Sequence, residues 1–325
     1  MSIGPPFHVL GVNVGPAQPL PADGVIQVAF DRYLLPASVN RQSVGLIDGA
    51  REPLPASLVP MVFYDPVART VTLAGPAEPW LTEGQPYTLV LGVPEGDADQ
   101  GGLRAIDRAT LAPDEAREIP FLVGPPAGAA PDPAVSLCRD VLPIFAAKCG
   151  AATCHGDASL AATGLVLATS SGIASTARGR IAHGTSAGAR TADPPSAGRV
   201  FGVDMPIIDP GDPGNSWLMY KIDLARLPVA AEPAPGFACD VGAREPSASF
   251  AFAPLVASAQ RAADDAERAR LGALVLGREM PLPAAKPGGY RDAPLSFDER
   301  EKVRLWIKSL TPGAPLPECG ACGPR

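Results

Sequence analysis

The chain is sparing with the residues that many binding surfaces rely on. Aromatic residues make up 6% of its 325 positions, charged residues 19%, and there are three histidines. No basic cluster and no interleaving of basic with aromatic side chains occurs, and the formal net charge is -7, so nothing here attracts nucleic acid. An acidic surface instead turns a protein toward a basic partner. No apolar run approaches the roughly 20 residues of a membrane-crossing helix. What the chain has in plenty is proline (39) and glycine (34), within a sequence that is 46% hydrophobic. Apolar clusters recur along its whole length, which predicts packed cores joined by turns and long irregular connections rather than disorder. A length of 325 residues suggests two domains.

With histidine so scarce, the surroundings of His155 stand out. The stretch Cys149-Gly-Ala-Ala-Thr-Cys154-His155 sets two thiols four residues apart, with an imidazole directly after the second. Covalent attachment of haem c needs that order of groups. Two cysteines add across the porphyrin vinyl groups, and the adjoining histidine becomes the proximal iron ligand. The usual spacing is C-x-x-C-H; the longer bridge here can bulge and still present both sulfurs. The alternative is a disulfide, or structural thiols beside a surface histidine.

An electron-carrying haem needs a second axial ligand, and a thioether there favours the ferrous state. Met280, in Gly277-Arg-Glu-Met280-Pro281-Leu282-Pro283, offers one, because the following proline biases the backbone to an extended path. A helix is expected over Leu295–Leu310. Ser296 and Glu299 form a capping box, and Val303, Trp306, Ile307 and Leu310 share one apolar face. Met205, which also precedes a proline, is the rival distal ligand, and His183 leaves bis-histidine ligation open. Met219 reads as packing, and His8 lies in the other domain.

Together these pieces resemble the monohaem cytochrome c domains of exported bacterial proteins. The matching segments are Val141–Cys149 leading into the motif, Cys154-His155-Gly156 closing it, Gly164–Leu167, Asp209–Lys221, Met280-Pro281 and the terminal helix. The resemblance implies one covalent haem c held by Cys149 and Cys154, with His155 and Met280 as axial ligands. It also implies a last helix that crosses the first, and a redox partner protein. Two features depart from the family pattern: the long spacing between the cysteines, and the 125 positions separating Met280 from His155. Phe145, Leu165, Leu167, Trp217, Leu218 and Trp306 are the expected apolar pocket.

Ahead of this region, seven short β-rich runs are separated by turns: His8–Val14, Val25–Phe30, Ser43–Ile47, Leu58–Tyr64, Thr70–Leu73, Tyr87–Leu91 and Ile119–Val123. Ile26–Asp31, Leu35–Val39, Thr70–Leu73 and Leu81–Leu89 are similar to bacterial Ig-like domains, which implies a spacer or adhesion module. Gly124–Pro133 reads as a linker. A first helix over Ala134–Lys148 should kink or restart at Pro143, and Leu255–Leu276 should form a helix leading into the Met280 loop. The expected fold is therefore multidomain: an all-β Ig-like sandwich over 1–123, a linker over 124–133, and a mainly α cytochrome c-like domain with long loops over 134–325.

Cys138, Cys239, Cys319 and Cys322 remain, an even number with three possible pairings. Cys138–Cys239 with Cys319–Cys322 is the preferred one, and attachment of the tail to Cys138 or Cys239 is the other. A four-cysteine zinc site would lack a second close pair. Haem c attachment implies export, hence a periplasmic, cell-surface or extracellular protein whose leader is absent before Met1-Ser-Ile-Gly, with a lipid anchor upstream compatible. Electron transfer is the first reading. A haem peroxidase or cytochrome subunit of a larger oxidoreductase, and a non-redox disulfide-stapled binding protein, are the alternatives.

Overall fold

Alternation of large apolar with polar side chains draws the N-terminal region into strands. In the computed structural model, which describes residues 4–77, 79–95, 101–128, 132–182, 205–228, 237–239, 252, 254–256, 264–275, 278–281 and 293–324, eight strands arise there. They are β1 (Val9–Val12), β2 (Leu20–Pro21), β3 (Ile26–Phe30), β4 (Val44–Asp48), β5 (Met61–Asp65), β6 (Thr70–Ala74), β7 (Pro86–Leu91) and β8 (Glu118–Gly124). They form two four-stranded sheets, ordered β1-β3-β6-β5 and β2-β8-β7-β4. In β7, Tyr87, Leu89 and Leu91 point inward, and antiparallel β8 sets Phe121 opposite Tyr87 with the rings stacked at 6.1 Å. Phe7, Phe30, Leu73, Leu89 and Leu103 join side chains of both sheets in one core.

The first unit comprises Met1–Pro131 together with Ala253–Leu274, and the second Asp132–Phe252 together with Val275–Arg325. The returning segment carries an α-helix, Asp264–Leu274 (α5 in chain order). Its Glu267 is fully buried and accepts hydrogen bonds from Arg32 Nε at 3.0 Å and the Tyr33 backbone N–H at 2.9 Å. Arg69, at a left-handed φ of 51° where β5 turns into β6, donates to Asp264 Oδ1 at 2.7 Å and lies 4.5 Å from the centroid of the Tyr33 ring.

The second unit has short helices. A π-helical turn (Leu137–Val141), capped by Ser136, runs into α1 (Leu142–Lys148), whose first turn holds Pro143 where no N–H is needed. Next come α2 (Leu160–Thr163), α3 (Ser170–Thr176) and α4 (Trp217–Asp223). The last helix, α6 (Phe297–Ser309), starts at the Ser296–Glu299 capping box. Glu299 also reaches Lys148 Nζ at 3.0 Å, and the Phe145 and Trp306 rings meet edge-on at 6.1 Å, tying α6 to the end of α1.

The fold expectation needs correction. Over the described residues of both units together helix accounts for 27% and strand for 22%, and a mainly α cytochrome domain is not supported. Proline and glycine interrupt the chain so often that its helices stay short and separated by irregular backbone. Nor is the first unit all-β and confined to 1–123. It takes α5 from the region assigned to the second domain, and its second sheet includes a parallel pair, β2 with β8. Among the described residues no helix is long and apolar enough to cross a membrane.

The preferred cysteine pairing is also corrected. Cys138 bonds Cys319 and Cys239 bonds Cys322, so both tail cysteines reach back into the unit. β9 (Phe237–Cys239) and β10 (Cys322–Pro324) pair antiparallel with Cys239 directly opposite Cys322, the register that brings these two sulfurs together.

Candidate functional site

The backbone between the two remaining cysteines closes on itself. The His155 N–H donates to the Cys149 carbonyl at 3.0 Å, and the Cys154 and Gly156 N–H groups both donate to the Ala151 carbonyl, at 2.8 and 3.1 Å. The four intervening residues are thus taken up in a tight turn. A Cβ on Gly156 would stand 2.8 Å from the Gly150 carbonyl oxygen, so only glycine fits where the turn ends. Ser159 Oγ donates to the Cys154 carbonyl at 2.7 Å, and the Leu167 N–H to that of His155 at 2.8 Å, fixing the turn against the following segment.

This turn forms part of the wall of a cavity of about 550 Å³, a size typical of small-molecule and cofactor sites. Cys149, Cys154, His155 and Met280 all line it. The rest of the wall comes from the end of α1 (Ala146 to Lys148), from Thr163, Leu165, Leu167, Ala182 and Ile207, and from one face of α4. That face consists of Trp217, Leu218, Lys221 and Ile222, which helical periodicity brings to the same side. Pro281 lies beside Met280.

Four of the six expected pocket residues, Leu165, Leu167, Trp217 and Leu218, line the cavity. Phe145 and Trp306 do not; they are buried against each other. Met205 is buried to 6% exposure, outside the lining set, and its carbonyl accepts from the Ala182 N–H at 3.1 Å. His183 lies outside the described residues. The two lysines of the wall, Lys148 and Lys221, belong to no ligand motif in the sequence. The one signal for Lys221 is its position a helical turn after Trp217.

Four cysteines are used in the disulfides, while Cys149 and Cys154 are free thiols. Among the described residues, no group of three or more His, Cys, Asp or Glu side chains is arranged to hold a metal ion directly. Burial pushes the Cys149 thiol up to about 12, with Lys148 opposing the shift. Burial lowers the His155 imidazole below its ordinary value, which favours the neutral ring that can ligate a metal. The Leu165 backbone opposes that shift, yet no hydrogen bond reaches the buried His155 Nδ1. A buried polar atom without a partner costs about 1–3 kcal/mol.

The two thiols should therefore react unequally. At pH 8 a thiol pushed up to about 12 is almost wholly protonated, and Cys149 is buried while Cys154 is only partly so. Iodoacetamide should label half-buried Cys154 in the native, haem-free chain and Cys149 only after denaturation. Peptide mapping of the alkylated protein checks this, and equal labelling would show that Cys149 is not sealed in the wall.

No family model matches the chain, and no curated protein does. Among solved structures it is similar to the N-terminal part of the bacterial S-layer protein SbsC, at 18% identity and a TM-score of 0.26, covering 38% of this chain and 25% of that one. SbsC domains 1–6 are similar at 16% identity and a TM-score of 0.26, covering 42% and 16%. The chain thus spans a quarter or less of the length of these structures, and likeness of this degree defines neither a fold nor an activity.

Proposed function

We propose that the protein is an exported c-type cytochrome, carrying one covalent haem c and transferring electrons to or from a partner protein. One observation carries the reading. The two cysteines left out of the disulfides, the histidine that follows them and a methionine 125 residues later line one cavity. The residues fit the group: two free thiols for the thioether bonds, an imidazole with an unspent buried nitrogen, a thioether, and a largely apolar wall.

In this reading Cys149 and Cys154 would anchor the porphyrin, and His155 and Met280 would ligate its iron. The bound haem supplies one-electron chemistry, ferric to ferrous and back. Leu165, Leu167, Trp217, Leu218 and Ile222 exclude water and lower the local dielectric, which tunes the potential. Burial keeps His155 neutral and ready to ligate. The turn closed by Gly156 holds both sulfurs at the same wall. The two disulfides accord with an oxidising compartment, the periplasm or the cell exterior.

The test is covalent haem. Protein produced in a periplasm that contains the attachment machinery should keep its haem through acid-acetone extraction and give a haemochrome spectrum when denatured. Colourless protein from such a host, with Cys149 bonded to Cys154, would leave the disulfide-stapled binding protein as the surviving reading.

A further inference from the structure

The segment Arg278–Pro281 brings Met280 to the cavity, and among the described residues two hydrogen bonds tie it to the rest of the unit. Both go to Lys221. The Met280 N–H donates to the Lys221 carbonyl at 3.1 Å, and Lys221 Nζ donates to the Arg278 carbonyl. The two bonds run in opposite directions and close a ring between the end of α4 and the methionine segment. Lys221 itself belongs to the cavity wall.

The helix bearing this lysine is held firmly. At its start the Trp217 and Leu218 N–H groups donate to the Pro206 and Ile207 carbonyls, at 2.9 and 3.0 Å. The buried Tyr220 hydroxyl donates to the Gly214 carbonyl at 2.6 Å. At its end the buried Asp223 pairs with Arg300 of α6 at 3.1 Å, and Arg300 also donates to the Ala225 carbonyl at 2.8 Å. A short segment clasped by a rigid helix inherits that helix's position.

From this geometry we infer that Lys221 is the positioning residue for Met280: its side chain and its carbonyl together hold the thioether at the cavity. The consequence for iron ligation rests on the haem reading above; the clasp itself does not. Lys221→Leu keeps an apolar stem and removes the donor, and Lys221→Arg restores a donor.

Two measurements on the full chain separate the claims. In haem-free protein, the Met280 amide should exchange its hydrogen at least about tenfold faster in Lys221→Leu than in the wild type, and Lys221→Arg should recover most of the protection. In haem-loaded protein, Lys221→Leu should lose most of the far-red thioether-to-ferric charge-transfer band, and Lys221→Arg should keep it. Unchanged amide exchange in Lys221→Leu overturns the clasp, and a band of full strength in that variant overturns its role in placing the thioether on the iron. Faster exchange beside a wild type that takes up no haem upholds the clasp and sinks the cytochrome reading instead.

Discussion

Glu267→Ala should cost the first unit about 3–5 kcal/mol, the range seen when one partner of a buried ion pair is removed. Glu267 has no exposed surface, and its carboxylate accepts from Arg32 Nε, the Tyr33 N–H and Arg270, the last at 2.9 Å. Truncation leaves the Tyr33 amide without that acceptor. It also leaves Arg32, 3% exposed at its side chain, with Asp107 at 2.6 Å as its remaining carboxylate. Hydrogen exchange in β3 and β6 reports the loss where it occurs, which a whole-chain melting curve on a two-unit protein would blur. Glu118→Ala is the control. Glu118 pairs with Arg51 at 2.7 Å, but both side chains lie in solvent, and its removal should leave exchange in the same strands unchanged. Equal effects of the two substitutions would mean that α5 is not an integral part of the first unit.

Glu267 also marks the limit of what local sequence signals encode. All seven β-rich runs hold strands displaced by no more than a few residues, because period-two alternation and turn residues are local signals. β2 carries no such signal, being two residues long and including Pro21. The helical character of the region around α5 was legible from its Ala, Arg, Glu and Leu content. Its partner was not, since a helix's periodicity shows that it has a buried face but not what covers that face. Proximity in sequence placed α5 with the second domain, whereas its acids answer Arg32 and Arg69, some two hundred residues earlier. Disulfide pairing is non-local in the same way. Cys319 and Cys322 sit close enough in sequence to suggest a local bridge, and the pairing of β9 with β10 is what brings Cys322 to Cys239. At the candidate site, order and chemistry made Cys149, Cys154, His155 and Met280 legible one by one. The closed turn that absorbs the long spacing, and the clasp at Lys221, depend on backbone hydrogen bonds that no motif encodes.

Met280→Ala tests the part of the cytochrome reading most at odds with the family spacing. A thioether favours ferrous iron, so its loss stabilises the ferric form and lowers the midpoint potential. Axial ligation commands a span of roughly 0.8 V, and a fall on the order of 0.1 V or more is expected here. The vacated position should also admit added imidazole, visible as a shift of the haem spectrum. Met205→Ala supplies the contrast. Met205 is buried but outside the cavity wall, so its truncation should cost about 2–5 kcal/mol of stability, as for other buried methionines, and leave the potential where it was. Redox titration of the two variants separates a ligand from a packing residue, because a cavity in the core moves the folding midpoint while a lost ligand moves the potential. A potential that falls in Met205→Ala and holds in Met280→Ala would transfer the distal position to Met205. A potential unmoved by either would leave His183 as the histidine able to complete the coordination.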